Sequence, residues 1–425
     1  MIKRFFEKLR LLTKDRDLRN KVFFVLGALL VFRVLASIPI PGVDQAALNS
    51  FFASNQFLSL LNVFSGGGLS ALSIVMLGVG PYITASIIMQ LLTIISPKVK
   101  EAFQENGAEG RKKMSNYSRL LTLPLATIQA FSFIIILQQQ GIIAQITGLS
   151  LVANIVVVTA GSLLLMWIGE LITEFGVGNG VSLIIFAGIV AGLPSSIQQA
   201  LVTYDPSQIP TYFAFIMVAI VTIIGVVVIT EAERPIPVTY ARQVRAQGST
   251  AGGQTTYLPL RLNQAGVIPI IFALSMLLLP QMVFTFLQGV SNEMVSSFAA
   301  SASAFLTNQL TYGITYFILV FLFTYFYTAV TFDPDNVSKN LQRSGGFIPG
   351  VRPGEATSEH ISNVLSRITF FGALFLGLVA VLPLVVQSLT GITSLTVGGT
   401  ALLIAVSVII DLLKKVDGQV SLREY

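Results

Sequence analysis

Apolar residues in this chain gather into long runs separated by short polar stretches. A helix needs about 20 apolar residues to cross a lipid core. Runs of roughly that length lie at about 22–38, 73–95, 119–137, 152–171, 181–200, 212–230, 264–287, 309–330, 368–386 and 396–412. The pattern predicts ten spanning helices and an all-α polytopic membrane protein. The runs at 152–171 and 181–200 are joined by "TEFGVGNG", which reads as a tight turn. The run at 73–95 is unusual, because "FSGGG" precedes it and small residues or proline interrupt it before Ile83. Glycine weakens a helix by up to about 1 kcal/mol and permits positive φ. A glycine run at this point therefore predicts a break.

Charge gives the orientation. Lysine and arginine are retained on the cytoplasmic side of short loops. Of the 26 basic residues, eight lie in positions 1–21, six between Lys98 and Arg119, four between Arg234 and Arg261, four between Lys339 and Arg367, and three in the tail from Lys414; Arg33 is the remaining one. The alternate loops near 39–72, 138–151, 201–211, 288–308 and 387–395 contain none. Ten spans with both termini cytoplasmic account for that partition. The basic N-terminus, residues 1–21, reads as an amphipathic cytoplasmic segment. No small-x-small cleavage site follows it, so the first apolar run reads as a retained span. Residues 413–425 form a cytoplasmic tail.

Composition narrows the chemistry. The chain is 53% hydrophobic and 11% charged, against about a quarter charged in soluble domains. It has no cysteine and one histidine, His360, which argues against thiolate chemistry, His-based metal sites and a Ser-His-Asp triad. No GxxxxGK[ST] is present, so energy must come from a partner. "GVGNG" at 176–180 lacks a preceding strand, "DPDN" at 333–336 lacks EF-hand spacing, and there is no HExxH. The reading is a protein without catalysis and without a cofactor. Arg33 is the one charge well inside a span and can snorkel or pair with a neighbouring helix; Glu170, Glu231 and Asp411 sit near cytoplasmic ends. A secondary transporter of a small solute would more often bury an ionisable group near the midplane. That class, and a scaffold without a pore, remain the alternatives to a passive channel at this point.

Nine stretches, in order across nearly the whole chain, carry a resemblance: "IPIPGVD" (38–44), "NVFSGGGLSALSI" (62–74), "GPYITASIIMQLL" (80–92), "GRKKMSNYSR" (110–119), "GNGVSLIIFAGIVAGLP" (178–194), "ERPIPVTYARQ" (233–243), "LNQAGVIPIIFA" (262–273), "FDPDNVSKNLQRSGGFIPGVRPGEAT" (332–357) and "GGTALLI" (398–404). Together they resemble the SecY family, the central subunit of the bacterial protein-conducting channel. The resemblance implies a clamshell of two inverted five-helix halves, 22–200 and 212–412, hinged between the fifth and sixth spans at about 195–211, with 201–211 separating the halves. It implies a plug half-helix at about 57–69 that blocks the outer half of the pore, with Gly66, Gly67 and Gly68 ending and hinging it. A plain outer loop is the alternative for that stretch. The helix is expected to restart straight after the glycines.

The family's constriction maps onto Val79 and Ile83 in the second span, Val181 and Ile185 in the fifth, Ile271 in the seventh and Ile404 in the tenth. The family commonly has isoleucine where Val79 and Val181 stand. Without the resemblance, such residues read as packing or lipid-facing. The family's lateral gate, between spans 2/3 and 7/8, implies roles for Gln90, Asn263 and Ile87. Gln90 and Asn263 are expected to hold the seam shut by a hydrogen bond of about 1 kcal/mol. The long cytoplasmic loops, about 231–263 and 331–366, carry Arg242, Arg245, Arg343 and Arg352, which the resemblance assigns to the SecA motor and the ribosome, both its RNA and its protein. The positive-inside rule alone also accounts for such arginines. Further implied partners are SecE, SecG, signal sequences, nascent polypeptides and the lipid bilayer. The implied location is the bacterial plasma membrane.

Overall fold

A computed structural model describes residues 15–40, 62, 65–69, 71–100, 102, 107–139, 141–143, 148–202, 209–240, 255–264, 266, 268–288, 292–390 and 394–421. A helix occupies each of the ten apolar runs. They are α1 (Arg16–Ala36), α2 (Gly80–Ile95), α3 (Gly107–Gln139), α4 (Leu149–Phe175), α5 (Gly180–Val202), α6 (Ile209–Glu231), α7 (Ile268–Gln288), α9 (Gln309–Thr331), α11 (Glu355–Thr390) and α12 (Ser394–Ser421). Between α7 and α9 lies α8 (Glu293–Thr307); after α9 comes α10 (Pro334–Arg343). Among the described residues, Lys112–Gln138, Leu149–Phe175, Gln309–Arg343 and Glu355–Val386 are long and apolar enough to cross a membrane.

Local chemistry sets the ends. The Asp15 carboxylate accepts from the Asp17 N–H and starts α1 before its apolar run begins. The Asn308 side chain accepts from Leu310 and Thr311 and starts α9. Each side chain satisfies backbone donors that a helix start leaves without partners. The expected restart of the second helix at Ser73 is corrected: residues 71–79 are turns and α2 begins only at Gly80. Gly78 has φ +58° and Pro81 sits in the first turn, where its fixed φ suits helix initiation and its missing N–H costs nothing.

Two further features add to the predicted helices. The outer stretch 288–308, expected as a loop, contains α8, capped by Asn292. In the loops expected to be cytoplasmic, a three-stranded antiparallel sheet forms in the order β2-β1-β3, from β1 (Glu233–Tyr240), β2 (Thr255–Arg261) and β3 (Gly346–Phe347). Glu233 pairs with Arg261 across the β1–β2 ladder and Tyr240 with Gly346 across β1–β3. Ile236, Val238 and Leu260 face inward and pack with Ile348, Ile361 and Val364. This small core joins the two long basic loops into one body.

The helices meet along two seams between the first five and the later ones. α7 packs against both α2 and α3, and α12 packs against α5. The acids expected at cytoplasmic ends are paired there. Glu170 bonds Arg119 at 2.7 Å, Glu231 bonds Lys414 at 3.0 Å, and Asp411 bonds Lys415 at 3.3 Å.

Candidate functional site

The largest apolar cluster lies where the seams converge. Val79, Ile83, Ile185, Ile271 and Ile404 are buried members of it, and Val181 packs against it partly buried. All six expected constriction residues thus share one contiguous cluster, drawn from α2 and the residue before it, α5, α7 and α12. Ile87, two turns along α2 from Val79, is buried in the same cluster. Val79 is the residue before α2 rather than within it, yet the Ile83 N–H still donates to its carbonyl at 3.1 Å. The i, i+4, i+8 alignment therefore survives the shorter helix.

A cavity of about 410 Å³ opens beside this cluster. Its apolar lining includes Ile83, Val181 and Ile271, three of the six. Its other walls are polar: Ser86, Gln90 and Ser115, then Arg119, Glu170, Thr173, Glu174, Asn179 and Ser182. Arg119 on α3 and Glu170 on α4 lie at the same end of the helix bundle, so the cavity approaches the aliphatic cluster from the end expected to be cytoplasmic. The Asn179 side chain accepts from the Val181 N–H at 3.1 Å and starts α5, which sets Val181 at the mouth of that helix.

On the other side of the cluster lies the glycine run. The last described helical residue before it is Asn62, whose carbonyl accepts from the Gly67 N–H at 2.8 Å. A bond from the fifth residue on, with Gly66 and Gly67 at φ +67° and +83°, is the geometry that closes a helix end. Gly68 is glycine for another reason. A Cβ there would come within 2.8 Å of the Ser73 hydroxyl and 3.2 Å of the Ser65 and Val75 carbonyls. The remainder of the expected plug, 57–61, 63 and 64, lies outside the described residues.

The gate pair is corrected. Gln90 and Asn263 do not bond each other among the described residues. The Gln90 amide donates to Ser86 Oγ at 3.1 Å within its own helix, and the Asn263 amide donates to the Gly266 carbonyl at 3.1 Å. Each side-chain oxygen is left buried without a partner. The seam is closed instead by packing of α7 against α2 and α3, with Ile83, Ile87, Ile270 and Ile271 in one apolar cluster; on its own side of the seam Phe272 lies edge-on to Phe323 and Tyr327 of α9.

The arginines expected to be cytoplasmic fall into two groups. Arg343, in the last turn of α10, and Arg352 are exposed. Arg352 is displayed on a tied turn. Val351 packs into the small core beneath, the Ser338 hydroxyl donates to the Gly354 carbonyl at 2.6 Å, and the Thr357 hydroxyl donates to the Arg352 carbonyl at 2.9 Å. Ser358 donates to Asp335, which fastens the turn to α10. Arg242 and Arg245 lie outside the described residues. Residue-by-residue reading missed the Arg119–Glu170 pair at the cavity mouth; a basic and an acidic residue ending adjacent antiparallel spans is the signal that could have found it.

Comparison with known proteins agrees with this geometry. A family model described as SecY matches residues 73–413. A protein translocase subunit SecY of Staphylococcus epidermidis is 41% identical over 422 residues, which cover 96% of this chain and 96% of that protein. Among solved structures, "The structure of a protein conducting channel" superposes with a TM-score of 0.63 at 19% identity, covering 93% of this chain and 91% of that one. "Sec61 in the Canine ribosome-channel complex from the endoplasmic reticulum" superposes with a TM-score of 0.59 at 18% identity, with the same coverage. At those identities the superpositions speak to the fold.

Proposed function

This chain belongs to the SecY family and is a membrane channel subunit of a protein translocase; from that premise we propose how its parts divide the work. Unfolded secretory polypeptides enter through the polar cytoplasmic cavity and thread a waist made by Val79, Ile83, Val181, Ile185, Ile271 and Ile404. Aliphatic side chains offer ions no hydrogen bonds, so a narrow ring of them excludes salt by dewetting. They also impose no sequence preference on a passing chain. Residues 57–69 plug the outer side, with Gly66, Gly67 and Gly68 at the turn. Membrane-protein segments leave sideways between α2/α3 and α7/α9, past Ile87, Gln90 and Asn263, as the two halves part about 201–211.

The chain carries no nucleotide-binding loop, so the driving force comes from outside. Arg343 and Arg352, with Arg242 and Arg245, form the docking face for SecA and the ribosome. Basic side chains suit RNA phosphates through counterion release and acidic protein surfaces through steering. SecE and SecG complete the assembly, and both termini are cytoplasmic in the bacterial plasma membrane. A small-solute transporter fits less well, because the apolar waist offers no ionisable midplane site.

The observation that supports this reading is the placement of the polar cavity directly against the shared aliphatic cluster. Its test uses the absence of cysteine. Ile83→Cys is compared with Val156→Cys, which lies on an exposed face of α4, while a secretory chain is stalled in the channel. Crosslinks are expected from position 83 and not from 156. Crosslinking at 156 alone would remove the waist from Ile83.

A further inference from the structure

The irregular path between the glycine run and α2 is held in two different ways. Residues 71–79 are bonded to fixed elements. The Ile40 N–H donates to the Leu72 carbonyl at 2.8 Å, the Ile74 N–H to the Ile38 carbonyl at 3.0 Å, and Ser162 Oγ of α4 to the Gly78 carbonyl at 2.9 Å. The Ile74 carbonyl also sits in a notch on α4 that a Cβ at Gly161 would fill.

Residues 65–67 are bonded within their own turn, whereas the two that follow are tied onward: the Gly68 carbonyl accepts from the Ser73 N–H at 2.8 Å, and Leu69 is buried with Leu72, Met76 and Phe133. Ser65 Oγ donates to the Asn62 carbonyl at 3.0 Å, the Leu69 N–H donates to Ser65 Oγ at 2.9 Å, and the Gly68 N–H donates to the Ser65 carbonyl at 3.3 Å. Gly66 and Gly67 rest on α1, through the Phe32 ring and the Arg33 side chain, and on the bare backbone of Gly188 on α5. A Cβ on Gly188 would reach within 2.8 Å of the Gly66 carbonyl carbon and 3.1 Å of its nitrogen. A Cβ on Gly66 would come within 3.1 Å of Phe32 Cε1 and 3.3 Å of the Gly188 Cα. Two backbones are thus in direct contact, and no side chain of any size fits between them.

Gly188 has no local reason to be glycine. It lies inside α5 and does not take a positive φ, and glycine within a helix is weaker than alanine. Its position on the helix is informative. Residues 181, 185 and 188 fall at i, i+4 and i+7 and share one face, so the notch continues the face that carries Val181 and Ile185. It sits one turn beyond them toward the outer side.

We propose that Gly188 is the seat of a latch: it positions the glycine turn in the closed channel, and a side chain there expels residues 65–67 while leaving 68–79 anchored. Gly188 acts through the turn rather than on the translocating chain, so it is a positioning residue. The inference rests on the reading of 57–69 as a plug and adds to it the surface that holds the plug down.

The test measures resting ion conductance of the complete channel complex in proteoliposomes for wild type, Gly188→Ala, Gly188→Leu, a 57–69 deletion, and the deletion combined with Gly188→Leu. The expected result is a several-fold rise for Gly188→Leu, a smaller rise for Gly188→Ala, and no further rise when Gly188→Leu is added to the deletion. General damage to α5 would raise conductance equally in both backgrounds, and that outcome overturns the latch. So does unchanged conductance in both Gly188 variants when the deletion leaks, an outcome that leaves the plug reading standing. If the deletion itself does not leak, the plug reading falls and takes the latch with it. Should Gly188→Leu fail to assemble, the alanine variant with and without the deletion gives the same discrimination.

Discussion

Removing either partner of the Arg119–Glu170 pair should have unequal consequences. The pair joins α3 to α4 at the cavity mouth, with Nε to Oε1 at 2.7 Å. The Arg119 side chain is 48% exposed and that of Glu170 is 16% exposed. In Arg119→Met, a mostly buried carboxylate loses its cation, which costs on the order of 1–3 kcal/mol. In Glu170→Gln, the guanidinium keeps water over about half its surface and retains a long contact to Asn116 at 3.5 Å. That loss should be about 1 kcal/mol or less, because exposed ion pairs are heavily screened. The double variant should lose less than the sum of the singles by roughly 1 kcal/mol, the coupling of two groups in contact. Thermal unfolding of the purified complex in detergent reads all three. Equal losses for the two singles, or strictly additive loss in the double variant, would refute the burial argument.

Further outcomes follow from other contacts. Arg352→Glu should impair export of secretory proteins while the channel still assembles, measured by pulse-chase secretion and by copurification of the complex; wild-type export would detach Arg352 from partner docking. Replacing Gln90 and Asn263 together by leucine removes two buried oxygens that have no partner, each a cost of about 1–3 kcal/mol. The closed seam should therefore tighten and export of reporters with weakly hydrophobic signal sequences should fall; an increase would mean that these amides hold the gate shut after all. Ser162→Ala leaves the buried Gly78 carbonyl without its 2.9 Å donor and should destabilise the complex by about 1–3 kcal/mol, seen as a lower unfolding midpoint; an unchanged midpoint would show that the bond is not needed to seat the turn before α2.

Much of the membrane body is legible from runs of apolar residues, because a helix in lipid must satisfy its own backbone and leaves a long uninterrupted trace. The start of α2 is not, since residues 72–79 are as apolar as a helix yet spend their polar backbone on Ile38, Ile40 and Ser162. Hydropathy measures where a side chain can sit, not which partner its amide finds. The cytoplasmic sheet left a weaker trace. Ile236 with Val238 and Leu258 with Leu260 alternate at period two, but the short strand at 346–347 that completes the sheet lies about a hundred residues further on. Helix α8 was obscured by its serines and alanines, which suit many conformations. The constriction residues look like any other aliphatic residues along the chain. Only the packing of four helices against one another distinguishes them, and the resemblance to a family was needed to name them first. The expected Gln90–Asn263 bond failed because each amide found a nearer acceptor on its own segment.

The shortness of α2 changes how this molecule feels its surroundings. Sixteen residues rise about 24 Å, less than the roughly 30 Å of hydrocarbon in a typical bilayer. Along most of its length the helix touches protein rather than lipid, with exposure growing at Leu92 and Ile95. Thickening or thinning the bilayer with longer or shorter acyl chains therefore loads α4 and α9, which present broad faces outward, and reaches α2 only through its neighbours.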